Sequence, residues 1–331
     1  MGDSVLNGIE WDEAEPNKEF YRGLVVVIAH RADGLPFAIG TGYIINSDGR
    51  SGVAITAAHV LAEVRRLQNL EPRRGRGALD MFLPPPKPIQ LGTQKLWVVT
   101  REGDAIVPVD VTGVAFDEKT DIGILSLAPM GKNPQAIPLG AFSVTDRVPD
   151  IGSKVCVLSF GSLGTRNFDD ENPEQGFELS VEPKMRIGRV TAYYPDGHRL
   201  CKGPCIETSI PVYSGMSGGV VMEYATDGLM RPLGLVCSDP DVDDERKLDK
   251  TRAGASIMAL LPVRTVPMPG AGQIASFFFR PTGVSGEMFN ANQRQTYAPR
   301  GHIYLGEYAL VWRFRFGRLS HPIVGKYDTK W

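Results

Sequence analysis

The sequence predicts an all-β chain: two successive barrels of about six strands each, followed by a C-terminal extension. Three observations carry this. Short apolar runs recur along residues 21–262, punctuated by Gly, Asp and Asn, as hairpin connections require. Glycine (37) and proline (25) are frequent, which suits many short strands joined by turns better than long helices. The runs fall into two sets of similar size, with a single short helical segment between strands of the first set.

In chain order, residues 1–20 are acidic and polar and read as an N-terminal arm. The first barrel, about residues 21–130, takes its strands from Gly23–His30, Pro36–Ile45, Val53–Thr56, Leu96–Thr100, Ala105–Val114 and Ile122–Leu127. Ala57 to Leu67 reads as the helix. It leads into a basic loop (Arg65, Arg66, Arg73, Arg74, Arg76) and then Leu83-Pro84-Pro85-Pro86-Lys87-Pro88, an extended surface linker because proline cannot sit in a central strand. The second barrel, about 150–262, takes Lys154–Phe160, Arg186–Tyr194, Cys205–Ser209, Gly219–Tyr224, Leu233–Cys237 and Ala255–Leu261.

Residues 263–331 differ in character. From Pro262 onward nine Lys/Arg face three Asp/Glu, with aromatic clusters at Phe277-Phe278-Phe279 and Trp312-Arg313-Phe314-Arg315-Phe316. The second cluster alternates with period two, as a strand does. The plain expectation is that this extension packs against the second barrel as added strands. Its composition also makes it the place for a regulatory protein partner.

Composition limits the function classes. A net charge of −2 gives no global nucleic-acid signature, and a basic loop in a neutral protein reads as solvated. The apolar run Leu24–Ala29 is too short for a membrane span or a signal core. Four scattered cysteines (Cys156, Cys201, Cys205, Cys237) imply no disulfide framework, so a cytoplasmic setting is expected. His198, Cys201 and Cys205 lack an evident fourth ligand at zinc spacing, so no metal and no cofactor is expected.

Three segments supply the parts of a serine nucleophile: Ile55-Thr56-Ala57-Ala58-His59, Thr120-Asp121-Ile122-Gly123-Ile124-Leu125 and Ser214-Gly215-Met216-Ser217-Gly218-Gly219. A serine hydroxyl needs an imidazole to take its proton and a carboxylate to fix the ring's tautomer. Alone, each residue has a plainer reading: a backbone-bonded histidine, a turn-capping aspartate, a glycine-rich hairpin with an incidental serine. Their conjunction, 62 and 96 residues apart, in strand-to-helix, loop-to-strand and turn-to-strand contexts, favours the chemical reading. Glycines around Ser217 permit backbone N–H groups to converge on an oxyanion, with Gly215 and Ser217 as the two donors.

Gly40-Thr41-Gly42-Tyr43-Ile44-Ile45, the His59 and Asp121 segments, and Gly215-Met216-Ser217-Gly218-Gly219-Val220-Val221 resemble the trypsin-like (chymotrypsin-fold) serine peptidases, nearest to their bacterial intracellular and HtrA-like branches. The resemblance covers about 21–262. It implies two chymotrypsin-like barrels with the active site between them, His59 as general base, Asp121 as its orienting partner and Ser217 as nucleophile. It also implies that Val236, Cys237 and Ser238 form the strand edge that pairs with substrate, while Pro211, Val212 and Tyr213 wall the primary pocket. Met216 replaces the aspartate that pairs with a new N-terminus in animal digestive members, so cleavage-driven activation is not expected. Pro211 in place of a pocket-bottom carboxylate disfavours a strict Arg/Lys preference, and the acidic run from Asp239 through Glu245 reads as a solvated loop. No PDZ domain is recognisable in 263–331.

Gly215-x-Ser217-x-Gly219 also satisfies the nucleophile-elbow pattern of α/β-hydrolases, but a Val-Val-Met strand follows where that fold needs a helix, and the downstream histidines, His302 and His321, lie in the extension. The expected function is a serine endopeptidase acting on a protein or peptide substrate through an acyl-enzyme, latent until a partner or signal orders the site. The alternative is a catalytically silent protease-fold scaffold. Neither membrane nor nucleic acid is an expected partner.

Overall fold

The computed structural model describes residues 11–14, 23–31, 35–47, 51–67, 96–102, 105–129, 144–167, 177–213, 215–224, 230–238, 256–268, 272–279, 283–286, 310–315 and 318–320. Its elements are β1 (Asp12–Ala14), β2 (Leu24–His30), β3 (Pro36–Ser47), β4 (Gly52–Ala57), α1 (Ala58–Leu67), β5 (Leu96–Glu102), β6 (Ala105–Asp117) and β7 (Ile122–Pro129). There follow β8 (Lys154–Asn167), β9 (Phe177–Tyr194), β10 (Cys205–Thr208), β11 (Val220–Tyr224), β12 (Met230–Ser238) and β13 (Ser256–Leu260). The extension holds β14 (Val263–Met268), β15 (Gly272–Phe279), β16 (Gly283–Gly286), β17 (Leu310–Arg315) and β18 (Arg318–Ser320).

Both expected barrels are present and closed. The first runs β6-β5-β2-β3-β4-β7, with β6 pairing back onto β7. The second runs β9-β10-β13-β12-β11-β8, with β9 pairing back onto β8. Each has one added strand at its margin: β16 on β6, and β1 on β9. The other strands of the extension, β14, β15, β17 and β18, form a separate four-stranded antiparallel sheet. The expected packing of the extension as added strands of the second barrel therefore differs from what is seen. Among the described residues its one barrel pairing is with the first barrel, and its period-two segment forms a strand in its own sheet. The Leu83–Pro88 linker, Arg73–Arg76 and Asp239–Glu245 lie outside the described residues.

β-branched residues dominate the first barrel's strands, as pleated, buried strands favour. In β2 every residue from Leu24 to Ala29 is buried, so this run is apolar without alternation. Helix α1 buries Val60, Leu61 and Val64, one face at helical spacing. Two glycines seat it: a methyl on Gly123 would lie 2.5 Å from Leu61 Cδ1, and one on Gly40 2.7 Å from Val60 Cγ2.

Through the middle of β8, β11, β12 and β13 the second barrel buries both faces of its strands. One alternate set (Cys156, Leu158, Val220, Met222, Leu235, Cys237) is continuous with the first barrel's core. The other set (Val155, Val157, Val221, Val236, Met258) forms a second cluster with Trp11, Ile210, Val212, Tyr213 and Met216. The barrels are stitched across their seam. Tyr43 on β3 donates its hydroxyl to the carbonyl of Gly234 on β12 at 3.1 Å. Among the described residues no helix is long and apolar enough to cross a membrane.

Candidate active site

His59 is the second residue of α1, set there because β4 ends and the helix begins within one residue. Asp121 closes the turn between β6 and β7. That turn is built by Asp117, whose carboxylate accepts from the Lys119 N–H (3.0 Å) and the Thr120 hydroxyl (2.9 Å). The second barrel supports it from behind: Gly203 N–H donates to the Lys119 carbonyl at 2.9 Å, and the Cys201 thiol points to the Thr120 carbonyl at 3.5 Å.

The turn leaves Asp121 at φ +56°, the left-handed region, costing about 1–2 kcal/mol for a non-glycine residue. The return is larger. Its carboxylate lies 2.9 and 3.0 Å from His59 Nδ1 and accepts from the His59 main-chain N–H at 2.9 Å, while its own carbonyl accepts from the Ala58 N–H at 3.0 Å. Hydrogen bonds to a charged group contribute about 1.5–3 kcal/mol each, so the strained residue is held. The carboxylate is 9% exposed and the imidazole 45%, so Asp121 is sealed behind a ring that faces out. Burial first, then Cys201 and Asp121, push the Cys237 thiol well above its ordinary value, so it stays protonated.

Ser217 lies in the loop between β10 and β11, and that loop is pinned to the first barrel. The Thr41 N–H donates to the Ser217 carbonyl at 2.9 Å, and the Thr41 hydroxyl donates to the Gly215 carbonyl at 2.8 Å. The same hydroxyl accepts from the Phe160 N–H, and the Thr41 carbonyl accepts from the Thr56 hydroxyl. Gly218, at φ +81°, sits so close that a methyl there would lie 2.1 Å from the Thr41 carbonyl and 2.9 Å from the Ala57 nitrogen. The Ser217 turn is thus packed against the backbone that carries His59.

The Ser217 hydroxyl donates to the Cys237 carbonyl at 3.3 Å, while the His59 ring bonds Asp121. Gly215 is at φ +96°. Around it, Met216 N–H donates to the Tyr213 carbonyl, Gly218 N–H to Val236 and Gly219 N–H to Met216. Among the described residues the N–H groups of Gly215 and Ser217 donate to no protein acceptor.

The model of one family, the trypsin-like peptidase domain, matches residues 40–229, more than half of the chain, and spans all three of these segments. The chain belongs to that family. No curated protein sequence matches it. Among solved structures it is similar to Rv3671c from M. tuberculosis H37Rv, an inactive serine-to-alanine mutant (16% identity over 75% of this chain and 90% of that one, TM-score 0.38). It is also similar to the protease domain of MamO from Magnetospirillum magneticum (15%, 73% and 94%, TM-score 0.41) and to Deg5 (15%, 72% and 85%, TM-score 0.39).

In this trypsin-like domain the residues expected to wall the primary pocket, Pro211, Val212 and Tyr213, are buried. β11 begins at Val220, opposite Leu235, so Cys237 and Ser238 extend past its start, leaving that edge of β12 beside the Ser217 turn. Val236 and Cys237 are buried, and the Ser238 side chain lies outside the described residues. His198 rests near the Tyr194 ring, 5.1 Å between centroids, and among the described residues no three His, Cys, Asp or Glu side chains are arranged to hold a metal.

Sequence reading missed three contributors. Thr41 was visible only as part of a glycine-flanked strand start. Asp117 carried a signal, since Asp-x-x-Thr before Asp121 is a turn-forming spacing. Arg186 carried none: an arginine in a strand ordinarily marks a solvent face, yet this one is 1% exposed.

Proposed function

We propose that this chain is a serine endopeptidase that hydrolyses peptide bonds of a protein substrate through an acyl-enzyme. The observation that carries the reading is the His59–Asp121 pair, bonded through Nδ1 with the ring's outer edge exposed, beside a glycine turn that carries the Ser217 hydroxyl and two N–H groups that meet no protein acceptor among the described residues.

Asp121 holds the tautomer with its proton on Nδ1, leaving Nε2 to accept the Ser217 proton as Oγ attacks the substrate carbonyl carbon. The N–H groups of Gly215 and Ser217 receive the developing oxyanion. His59 then returns the proton to the leaving amine, and water repeats the sequence to release the acid. An extended substrate adding to the open edge of β12 offers its own N–H to the Cys237 carbonyl. That displaces the Ser217 hydroxyl from the Cys237 carbonyl and frees it for His59.

The Ser217–Cys237 bond also favours a second reading, a latent or silent form in which the hydroxyl rests off its base until a partner acts. None of the four cysteines forms a disulfide, which supports a reducing, cytoplasmic setting as a further part of the proposal.

A peptide-library digest tests the first reading. Wild type should cleave at defined positions and Ser217→Ala at none. Equal cleavage by both would reject it, and absence of cleavage by wild type alone would support the silent form.

A further inference from the structure

The loop that carries Gly215 and Ser217 is gripped from beneath by a buried cation. Arg186, on β9, is 1% exposed. Its Nη1 donates to the Pro211 carbonyl at 2.7 Å and lies 3.8 Å from Met216 Sδ, and its Nη2 donates to the Tyr213 hydroxyl at 3.3 Å. Its guanidinium carbon stands 4.8 Å from the centroid of the Tyr213 ring and 5.2 Å from that of Trp11. These contacts fall on residues 211, 213 and 216, which bracket Gly215 and adjoin Ser217.

Trp11 reaches this place because β1 adds to β9 with Glu13 opposite Arg186. The indole is buried, and its N–H has no hydrogen-bond partner among the described residues, so the ring is held by its face. Withdrawing a guanidinium from water is costly, and two aromatic faces recover part of that cost while excluding solvent from the contacts beneath. A substrate cannot touch a side chain this deeply buried, so its influence runs through the loop.

We propose that Arg186, capped by Trp11 from the N-terminal strand, is a positioning residue that holds the 211–216 loop with the Gly215 and Ser217 N–H groups presented to the oxyanion. This rests on the serine-peptidase reading for its effect on rate, but not for its effect on loop order. Trp11 and the strand Asp12–Ala14 thereby become part of the machinery although they lie far from the triad in the chain.

The test uses the full-length chain as wild type, Trp11→Ala, Trp11→Phe and Arg186→Lys. Two readouts are taken: hydrogen exchange of peptides spanning 211–219, with first-barrel peptides as reference, and the rate of fluorophosphonate labelling together with kcat and KM on a small peptide ester. Trp11→Ala should raise exchange in 211–219 at least ten-fold relative to the first barrel. It should slow labelling at least ten-fold, with the loss in kcat rather than KM, and Trp11→Phe should stay within three-fold of wild type. Arg186→Lys, which keeps the charge but loses the fork, should behave as Trp11→Ala does; if it does not fold, the Trp11 pair decides. Wild-type exchange and labelling in Trp11→Ala would overturn the proposal, as would loosening of both barrels to the same extent. If wild type is not labelled but Trp11→Ala still loosens 211–219 alone, the clamp stands and the peptidase reading fails.

Discussion

The Thr41 N–H donates to the Ser217 carbonyl at 2.9 Å, across the seam between the two barrels. One residue of β3 therefore holds the nucleophile turn of the opposite barrel through two hydrogen bonds and is itself held by two more. Its N–H, its carbonyl and both capacities of its hydroxyl are engaged, with Ser217, Thr56, Gly215 and Phe160. Thr41 is fully buried, so each of these groups would be costly to leave unmade.

Thr41→Val keeps the shape and deletes the hydroxyl, stranding the Gly215 carbonyl and the Phe160 N–H. Loss of about 2 kcal/mol or more in urea denaturation is expected, since each stranded group costs about 1–3 kcal/mol. Because the Gly215 peptide is freed, kcat on a peptide ester should fall more than KM rises. Thr41→Ser should retain most of both.

Asp121→Asn preserves the backbone, because asparagine tolerates the left-handed φ of +56°. It presents an amide N–H toward the histidine and favours the wrong ring tautomer. A fall in kcat of roughly 10⁴-fold, the size seen for this change in the trypsin-type triad, is expected with little change in melting temperature.

Gly218→Ala should be among the most damaging small substitutions. The added methyl would meet the Thr41 carbonyl at 2.1 Å, at a φ of +81° that L side chains rarely adopt. Backbone must move on both sides of the seam, so Ser217 and His59 part company. Loss of activity by more than 100-fold, with a lowered melting temperature, would be read in the purified variant.

Alkaline pH should destabilise the fold through buried acids that must stay protonated. Burial pushes the Cys156 thiol up from 9.0 to about 12, and burial raises the Tyr43 phenol above its ordinary value as well. In the unfolded chain each loses its proton near its ordinary pKa while the folded chain keeps it. Stability is therefore full below pH 9 and falls as pH rises toward 12, by up to about 1.4 kcal/mol per pH unit for each group. Denaturation midpoints measured between pH 8 and 11 should show this slope, and Cys156→Ala should flatten it.

The barrel strands were legible because their residues are apolar at short, glycine-bounded intervals, and the His59, Asp121 and Ser217 segments because each needs its own local context. Strand ends were less so: β8 runs on to Asn167 and β9 begins at Phe177, through a stretch in which polar and apolar residues of the two strands pair with each other. β1 hid in an acidic arm, since three residues carry no periodicity and the neighbouring buried indole of Trp11 stands alone. Arg186 was hidden for a different reason. Its burial depends on partners from residues 11 and 211–216, and no local pattern encodes contacts so far apart in the chain. The extension's alternating segment was legible as a strand, but not its partners, because alternation fixes faces and not neighbours.

The central claim is that Ser217 is a nucleophile made reactive by His59. Mass-spectrometric mapping of a fluorophosphonate adduct on the folded wild type and on His59→Ala tests it most directly. A single adduct on Ser217, with labelling slowed at least roughly 1,000-fold in the variant, is the predicted result. A folded wild type that takes no label, or a Ser217 adduct that forms as fast without the imidazole, would contradict it.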